Sequence, residues 1–290
     1  MAFSSAAQST SESKLFVEGM LGGFIQREGA IADIRLRYRH LLYASERTAF
    51  KDNYFGAGLL TQTSPVFSQN GAYLEFAPAS FFRLTAGYEL VSYFGVLDSM
   101  RPLSNCDGVA QLTRNDARCA FAPRSPAPEG SARADYGHRV WVEGLLQAQL
   151  GRFLAYDAFT AEGWWFRENW ALGVGQQHWF NELFAIPQKR DDAVLTNSAA
   201  VLFEAIGEGN SGPQLLVGAA TDFAYSTATH YLSQRVGLMG VYRVPEWKGL
   251  RELAAVLVVQ PYTNDRYSVG PVPFIGLVLS ASTTNFLANR

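Results

Sequence analysis

Charged and apolar residues alternate along the segment ADIRLRYRHLL, residues 32–42. Asp33, Arg35, Arg37 and Arg39 occupy every second position, with apolar side chains between them. Successive side chains of a β-strand point to opposite faces, so this segment predicts a strand with one charged face and one apolar face. One face must meet water and the other an apolar phase.

The same alternation recurs along most of the chain and predicts about twelve strands. Most are longer than the five or six residues usual in soluble proteins. The predicted strands cover residues 14–26, 31–43, 53–64, 69–78, 81–94, 137–152, 156–168, 193–206, 213–227, 231–243, 250–262 and 271–285.

The apolar faces of these strands are almost free of polar groups. In FFRLTAGYELVSYF, residues 81–94, Phe82, Leu84 and Tyr88 share the apolar face, opposite a polar row that includes Arg83. An unbroken apolar row of about ten residues matches the height of a membrane's hydrocarbon layer.

The predicted connections alternate between short and long. The APAS turn at 77–80 is followed by a loop over 96–136, and a short junction near Tyr156 is followed by a loop over 169–192. Short turns at one end and long loops at the other are typical of an up-and-down membrane barrel. The pattern therefore predicts a barrel whose N-terminus lies on the short-turn side.

Aromatic residues concentrate near the predicted strand ends. Rings that lie between hydrocarbon and headgroups produce such clusters, so an interfacial position is expected for them. The residues are Tyr54, Phe55, Tyr93, Phe94, Trp164, Trp165, Trp170, Trp179 and Phe180.

Composition narrows the class of protein. The apolar runs LAAVLVV at 253–259 and FIGLVL at 274–279 fall far short of the roughly 18 residues that a membrane-spanning helix needs. A mean hydropathy of -0.03 agrees with this exclusion. The net charge of -2 gives no electrostatic support for a nucleic-acid partner.

From about Lys14 to Arg290 the chain resembles the bacterial outer-membrane β-barrel class. The resemblance is carried by the alternating strands, by LEFAPASFFRLTAGYE at 74–89 and by the closing amphipathic strand PFIGLVLSASTTNFLANR, in which four residues follow the last aromatic residue, Phe286. It implies an all-β, antiparallel, up-and-down transmembrane barrel of about twelve strands over 14–290.

The same resemblance implies a porin-like protein in the outer membrane of a Gram-negative bacterium, with outer-membrane lipid as a partner. Residues 1–13 are expected to be a flexible segment preceding the barrel. The segment MAFSSAAQSTSESK has neither a basic region nor an apolar region of a secretory signal, and its small residues are similar to those that follow a cleavage site.

In such a barrel the charged rows face the lumen. Two interpretations compete: a constriction that filters small hydrophilic solutes, and a salt-bridge network that braces or seals a non-conducting structural or binding barrel. The residues expected at this site are Asp33, Arg35, Arg37, Arg39, Glu18, Glu75, Arg83, Glu89, Arg139, Glu143, Glu162, Asp222 and Arg235.

The two cysteines, Cys106 and Cys119, lie in one polar, proline-rich segment. Two cysteines close together in such a loop favour a disulfide and an oxidising compartment over two free thiols. The sequence indicates no metal and no cofactor.

Other chemistry has weaker support. GEGNSG at 207–212 follows a strand and precedes another apparent strand, which favours a hairpin turn over a dinucleotide site. His40 and His138 near strand ends leave open a lipid-acting hydrolase on the outer rim, but no catalytic residue is assigned. A soluble β protein is the structural alternative, and the oligomeric state stays open.

Overall fold

The computed structural model describes residues 13–25, 29–97, 100, 102–103, 106, 134–166, 178–207, 212–247, 250–264 and 273–283. Its strands are β1 Ser13–Ile25, β2 Gly29–Leu41, β3 Tyr54–Thr63, β4 Phe67–Ala79, β5 Phe82–Phe94, β6 Pro102–Leu103, β7 Ala134–Leu150, β8 Phe153–Phe166, β9 His178–Asn181, β10 Ile186–Lys189, β11 Asp191–Gly207, β12 Gln214–Ser226, β13 Leu232–Trp247, β14 Leu250–Gln260, β15 Tyr262–Asn264 and β16 Phe274–Thr283. A single 3-10 turn over Thr48–Phe50 joins β2 to β3.

Twelve of these strands form a closed antiparallel barrel, which confirms the predicted fold class. Each strand pairs with its neighbours along the chain, and the barrel closes where β1 pairs with β16. The short strand β15 follows β14 and pairs with the first residues of β13. Strands β6, β9 and β10 form a separate three-stranded sheet. Of the predicted flexible segment, residues 1–13, only Ser13 lies within the described part of the chain.

The long connections lie at one end of the barrel, called here the loop end. They follow β5 and β8, and the loop after β8 carries β9 and β10. The opposite turn end has the tight links 80–81 and 151–152 and the start of β1. It also carries the 42–53 connection, which is longer than the sequence pattern predicts for this end. No described helix is long and apolar enough to cross a membrane.

Burial is inverted relative to a soluble protein. The apolar residues Ile34 and Leu36 on β2 are 57% and 41% exposed, whereas the charged Asp33 and Arg37 are 4% and 6% exposed. The alternation of the strand therefore places an apolar row on the outside of the barrel and a charged row on the inside.

The predicted position at the membrane interface is wrong for several of the aromatic residues. Phe55, Phe94 and Trp165 do lie on the outer face, but Tyr93 and Trp164 are buried inside the barrel. Adjacent residues of a strand point to opposite faces, so a pair of aromatic neighbours cannot both reach the membrane interface. Trp179 and Phe180 are also buried inside, and Tyr54 packs beneath Arg39. Trp170 lies outside the described residues.

Candidate functional site

The first inner cluster centres on Arg37 of β2. Its guanidinium donates to Glu18 of β1 at 2.6 Å through Nη1, and to both oxygens of Glu75 of β4 through Nε and Nη2. The Nε atom of Arg39 lies 3.8 Å from the same Glu75 carboxylate. Two arginines thus share one buried carboxylate, and the cluster links three strands.

Arg37 and Glu75 meet across β3 because β3 has glycine beneath them. A Cβ atom at Gly58 would lie 2.4 Å from the ring of Tyr73, and one at Gly56 would lie 3.2 Å from Glu75 Oε2. The missing side chains open a trough along the inner face of β3, which long side chains from β2 and β4 occupy.

The second inner cluster centres on Arg139 of β7. Its guanidinium donates to Glu89 of β5 at 3.0 Å and to Glu162 of β8 at 2.7 Å. The indole nitrogen of Trp141 donates to Glu89 at 2.6 Å, and that of Trp164 donates to Glu162 at 2.9 Å. Both carboxylates are therefore satisfied although they are almost fully buried.

In three further ion pairs at least one side chain reaches solvent. Arg35 bonds Asp33 at 2.9 Å on the same strand, Arg83 lies 3.4 Å from Glu143, and Arg235 lies 3.8 Å from Asp222. Every residue predicted to face the lumen thus belongs to one of the ion pairs within the barrel. The structure brings them together as several local groups along the wall.

The inner wall formed by β11–β14 has a different character, which the sequence analysis missed. Ala200, Leu202, Leu216, Ala220 and Val241 form a buried apolar cluster. The missed signal is in β12, where the inner row contains Leu216, Ala220 and Ala224 as well as the polar residues. The inner wall consequently carries the two large ion clusters on β1–β8, whereas on β11–β14 an apolar cluster lies beside the Arg235–Asp222 pair.

A plug of aromatic and aliphatic side chains occupies the loop end, called here the loop plug. Met100, Leu103, Trp179 and Ile186 from the two long loops are fully or almost fully buried against inward-facing residues of β4, β5, β8, β11 and β12. The rings of Tyr93 and Trp179 meet edge to face at 5.3 Å. Loop segments therefore fill part of the barrel mouth.

Asp192 fixes the loop plug to the barrel wall. Its carboxylate accepts hydrogen bonds from the Ser226 hydroxyl at 2.6 Å, the Ala228 amide at 3.0 Å and the Lys189 amide at 3.2 Å. The hydroxyl of Thr229 donates to the Pro187 carbonyl at 3.0 Å. These bonds join β10 to the turn between β12 and β13.

Cys106 is fully buried within the loop plug. Its expected partner, Cys119, lies outside the described residues. The disulfide between them therefore stays a prediction.

Three histidines contact hydroxyl groups near strand ends. The Nδ1 atom of His40 lies 3.0 Å from the Ser13 hydroxyl, that of His138 lies 2.6 Å from the Tyr88 hydroxyl, and that of His230 lies 2.9 Å from the Tyr225 hydroxyl. Among the described residues, no group of His, Cys, Asp and Glu side chains is placed to hold a metal ion. GEGNSG is followed by strand β12, as a hairpin requires.

No protein-family model and no curated protein matches the chain. Among solved structures, the β domain of the Bordetella autotransporter BrkA is 10% identical, with a TM-score of 0.50 over 94% of this chain and 100% of that one. The KdgM porin in complex with disordered oligogalacturonate is 9% identical, with a TM-score of 0.41 over 93% and 98% of the two chains. LpxR from Salmonella typhimurium is 9% identical, with a TM-score of 0.40 over 93% and 99%. By fold, the chain is similar to the autotransporter β domain.

Proposed function

We propose that the protein is an outer-membrane channel that passes small hydrophilic solutes through a narrow, charged lumen. The observation that carries this proposal is the set of paired charges on the inner wall that still reach solvent. The side chains of Arg35 and Glu143 are 41% and 30% exposed, although both point into the barrel. Charged groups that line a water-filled passage select solutes by size and charge.

The outer surface supports a position in a membrane. Leu21 and Leu59 are about as exposed as surface residues of a soluble protein, yet they belong to continuous apolar rows. Contiguous apolar surface of this extent is covered by lipid or protein in stable molecules. The loop end then faces outward and the turn end faces the periplasm, as in barrels with long external loops.

The accessible charges predict a measurable but weak ion preference. Most inner arginines have a carboxylate partner, and paired charges produce a small net field at a distance. Among the inner arginines in described ion pairs, Arg35 has the most exposed side chain. Replacing it together with Arg39 leaves carboxylates in excess, so the lumen is expected to favour cations.

The test is single-channel conductance of the refolded protein in a planar bilayer under a salt gradient. Wild-type protein is expected to give discrete steps, and an Arg35→Ser/Arg39→Ser variant a reversal potential shifted toward cation preference. The control is Lys51→Ser, an exposed residue of the 42–53 connection that lies outside the barrel wall. Correctly folded protein that inserts without any conductance steps contradicts the proposal.

A non-conducting barrel is the second candidate, and the loop plug is the observation that favours it. In a sealed barrel the loop plug closes the passage, and the Asp192→Ala variant loosens it by removing the bonds that Asp192 accepts from Lys189, Ser226 and Ala228. If neither the wild-type protein nor this variant gives conductance steps in the bilayer, the result supports the sealed barrel.

A lipid-acting hydrolase is supported by one contact, between Ser13 and His40 on the outer face. A histidine within hydrogen-bond distance can act as a base toward a serine hydroxyl. Release of fatty acid from phospholipid vesicles by wild-type protein, lost in Ser13→Ala and retained in Ser45→Ala, is the result that this function requires.

A further inference from the structure

In the strands that the structure describes, one carboxylate lies in the central part of the outer face of the barrel. Asp157 belongs to the outer row of β8, between Ala155 and Phe159, and its register partners are Leu146 on β7 and Ala199 on β11. Among the described strands, no other Asp, Glu, Lys or Arg occupies the central part of an outward-facing row. This position is therefore exceptional within the outer surface.

Asp157 lies well inside the apolar layer. It is four residues from Phe153, whose ring contacts the tilted ring of Phe203 at the turn end with centroids 5.3 Å apart. At about 3.3 Å per residue, Asp157 is about 13 Å along the strand from that aromatic pair. A carboxylate at this depth is costly in hydrocarbon unless polar groups contact it.

The polar spot extends over three strands but is incomplete. The Asn197 side-chain amide of β11 donates to Oδ1 of Asp157 and lies 3.3 Å from the Ala158 carbonyl. Thr221 of β12 donates to the Arg235 carbonyl at 3.1 Å. Within the part of the chain that the structure describes, Oδ2 of Asp157 receives no donor.

Small residues surround this spot and form a depression, called here the Asp157 groove. Ala155, Ala199 and Ala219 contribute to a volume of about 620 Å³. On most other strands, the outer rows carry large side chains such as Leu59 and Leu74. Small residues permit two backbones to approach closely in a membrane, as they do between membrane helices.

We propose that the protein forms a twofold-symmetric homodimer in the membrane through the Asp157 groove. Lipid tails offer no hydrogen-bond donor at this depth, so a protein surface must supply one. Two copies inserted in the same direction are related by an axis parallel to the membrane normal, which preserves depth. The polar spot of one copy therefore meets the same spot of the other copy, as a self-complementary interface requires.

In the dimer, the second N–H of the Asn197 amide gives up its 3.3 Å bond to the Ala158 carbonyl of its own copy and donates to Oδ2 of the other copy's Asp157, and the reverse bond is equivalent. The small alanine side chains allow the outer faces of the two copies to approach until the Asp157 and Asn197 side chains meet. Such polar contacts in a membrane are individually modest, and their occurrence twice per dimer fixes the register of the two walls.

The test is sedimentation equilibrium of the refolded protein in a neutral detergent micelle. We expect a dimer whose dissociation constant rises about tenfold or more in Asp157→Leu, which removes the polar contacts, and in Ala199→Trp, which fills the groove. The matched control is Ala32→Trp, which fills a depression of about 470 Å³ lined by β1–β3 and β16, where no ionisable residue lies.

The inference rests on the proposed membrane position, so insertion into lipid vesicles is measured on the same samples. A wild-type protein that inserts but sediments as a monomer overturns the dimer and leaves the channel proposal intact. A protein that does not insert overturns both. Equal weakening by Ala32→Trp and Ala199→Trp also contradicts the assignment to the Asp157 groove. Mobility of unheated samples on gels verifies that each variant is folded.

Discussion

Arg139 illustrates that a charged side chain buried inside this barrel needs partners of opposite charge. Its charge is removed from bulk water, so its stability depends on the two carboxylates and the two indole rings around it. The carboxylates depend on it in return, because the indole nitrogens alone leave their negative charges uncompensated. A buried pair of this kind contributes little as a whole, but the loss of one partner is expensive.

Arg139→Met is therefore expected to lower the free energy of unfolding by about 3–5 kcal/mol. Urea titration followed by tryptophan fluorescence in lipid vesicles measures the change. The control is Arg83→Met, because Arg83 and its partner Glu143 are 29% and 30% exposed; its loss is expected to cost about 1 kcal/mol or less. Restoration of stability by Glu89→Gln/Glu162→Gln in the Arg139→Met background is expected, and further loss contradicts this account.

Gly58 gives a second prediction at this scale. A methyl group there meets the Tyr73 ring and the Leu36 carbonyl oxygen, 2.6 Å away. Gly58→Ala is expected to destabilise the barrel by about 1–3 kcal/mol because the overpacked trough must widen. Gly19→Ala, with nothing within 4 Å of the new methyl group, is the comparison. The same urea titration should find it neutral or stabilising; equal losses contradict the trough.

At the scale of elements, short strands from two distant loops behave as one unit. Strand β9 pairs with both β10 and β6, and its residues pack against the barrel interior through Trp179 and Phe180. Asp192, at the start of β11, ties this unit to the β12–β13 turn. A small number of hydrogen bonds at the edge of this unit therefore attach it to the barrel wall.

Asp192→Ala removes the shared acceptor of those bonds. Local opening of residues 186–189 and 226–230 is expected to become easier by about 1–3 kcal/mol, since buried donors lose their partner. Hydrogen exchange of the amides in these segments measures it. Asp191→Ala, one residue earlier and exposed, should leave exchange unchanged. Protection equal to wild type in Asp192→Ala would falsify the anchoring role.

At the scale of the whole molecule, the distribution of polar and apolar residues is the reverse of that in a soluble protein. The charged rows are inside, and residues such as Leu238, 69% exposed, are outside. In water this surface would promote aggregation, whereas in a bilayer it is matched to its solvent. Closure between β1 and β16 leaves the described barrel sheet without an open edge, which hydrocarbon could not satisfy.

A charged residue introduced on the outer wall distinguishes a bilayer environment from water. Leu59→Arg, near the middle of β3, is expected to cost about 2–4 kcal/mol in a bilayer. A surface substitution in a soluble protein stays within about 0.5 kcal/mol. Unfolding in lipid vesicles measures the cost, with Leu97→Arg as the control, because Leu97 lies beyond the end of β5 and is 78% exposed. Equal, small effects at both positions contradict the membrane position.

The sequence by itself determined the strands and their two faces. Alternation is a local property, so the inner position of Arg35 and the outer position of Leu36 follow from their order in the chain. It also determined the class of fold, because twelve long amphipathic strands cannot bury their apolar faces in one soluble core.

Only the tertiary structure decided which residues meet. The Arg37–Glu75 contact depends on the register of three strands and on the trough at Gly58, which no local pattern contains. The burial of Trp179 depends on a loop folding back into the barrel, and the polar spot at Asp157 depends on Asn197, forty residues away along the chain. These contacts are non-local, so their physical cause lies in strand register and in the packing of loops against the barrel rather than in the pattern of any one strand.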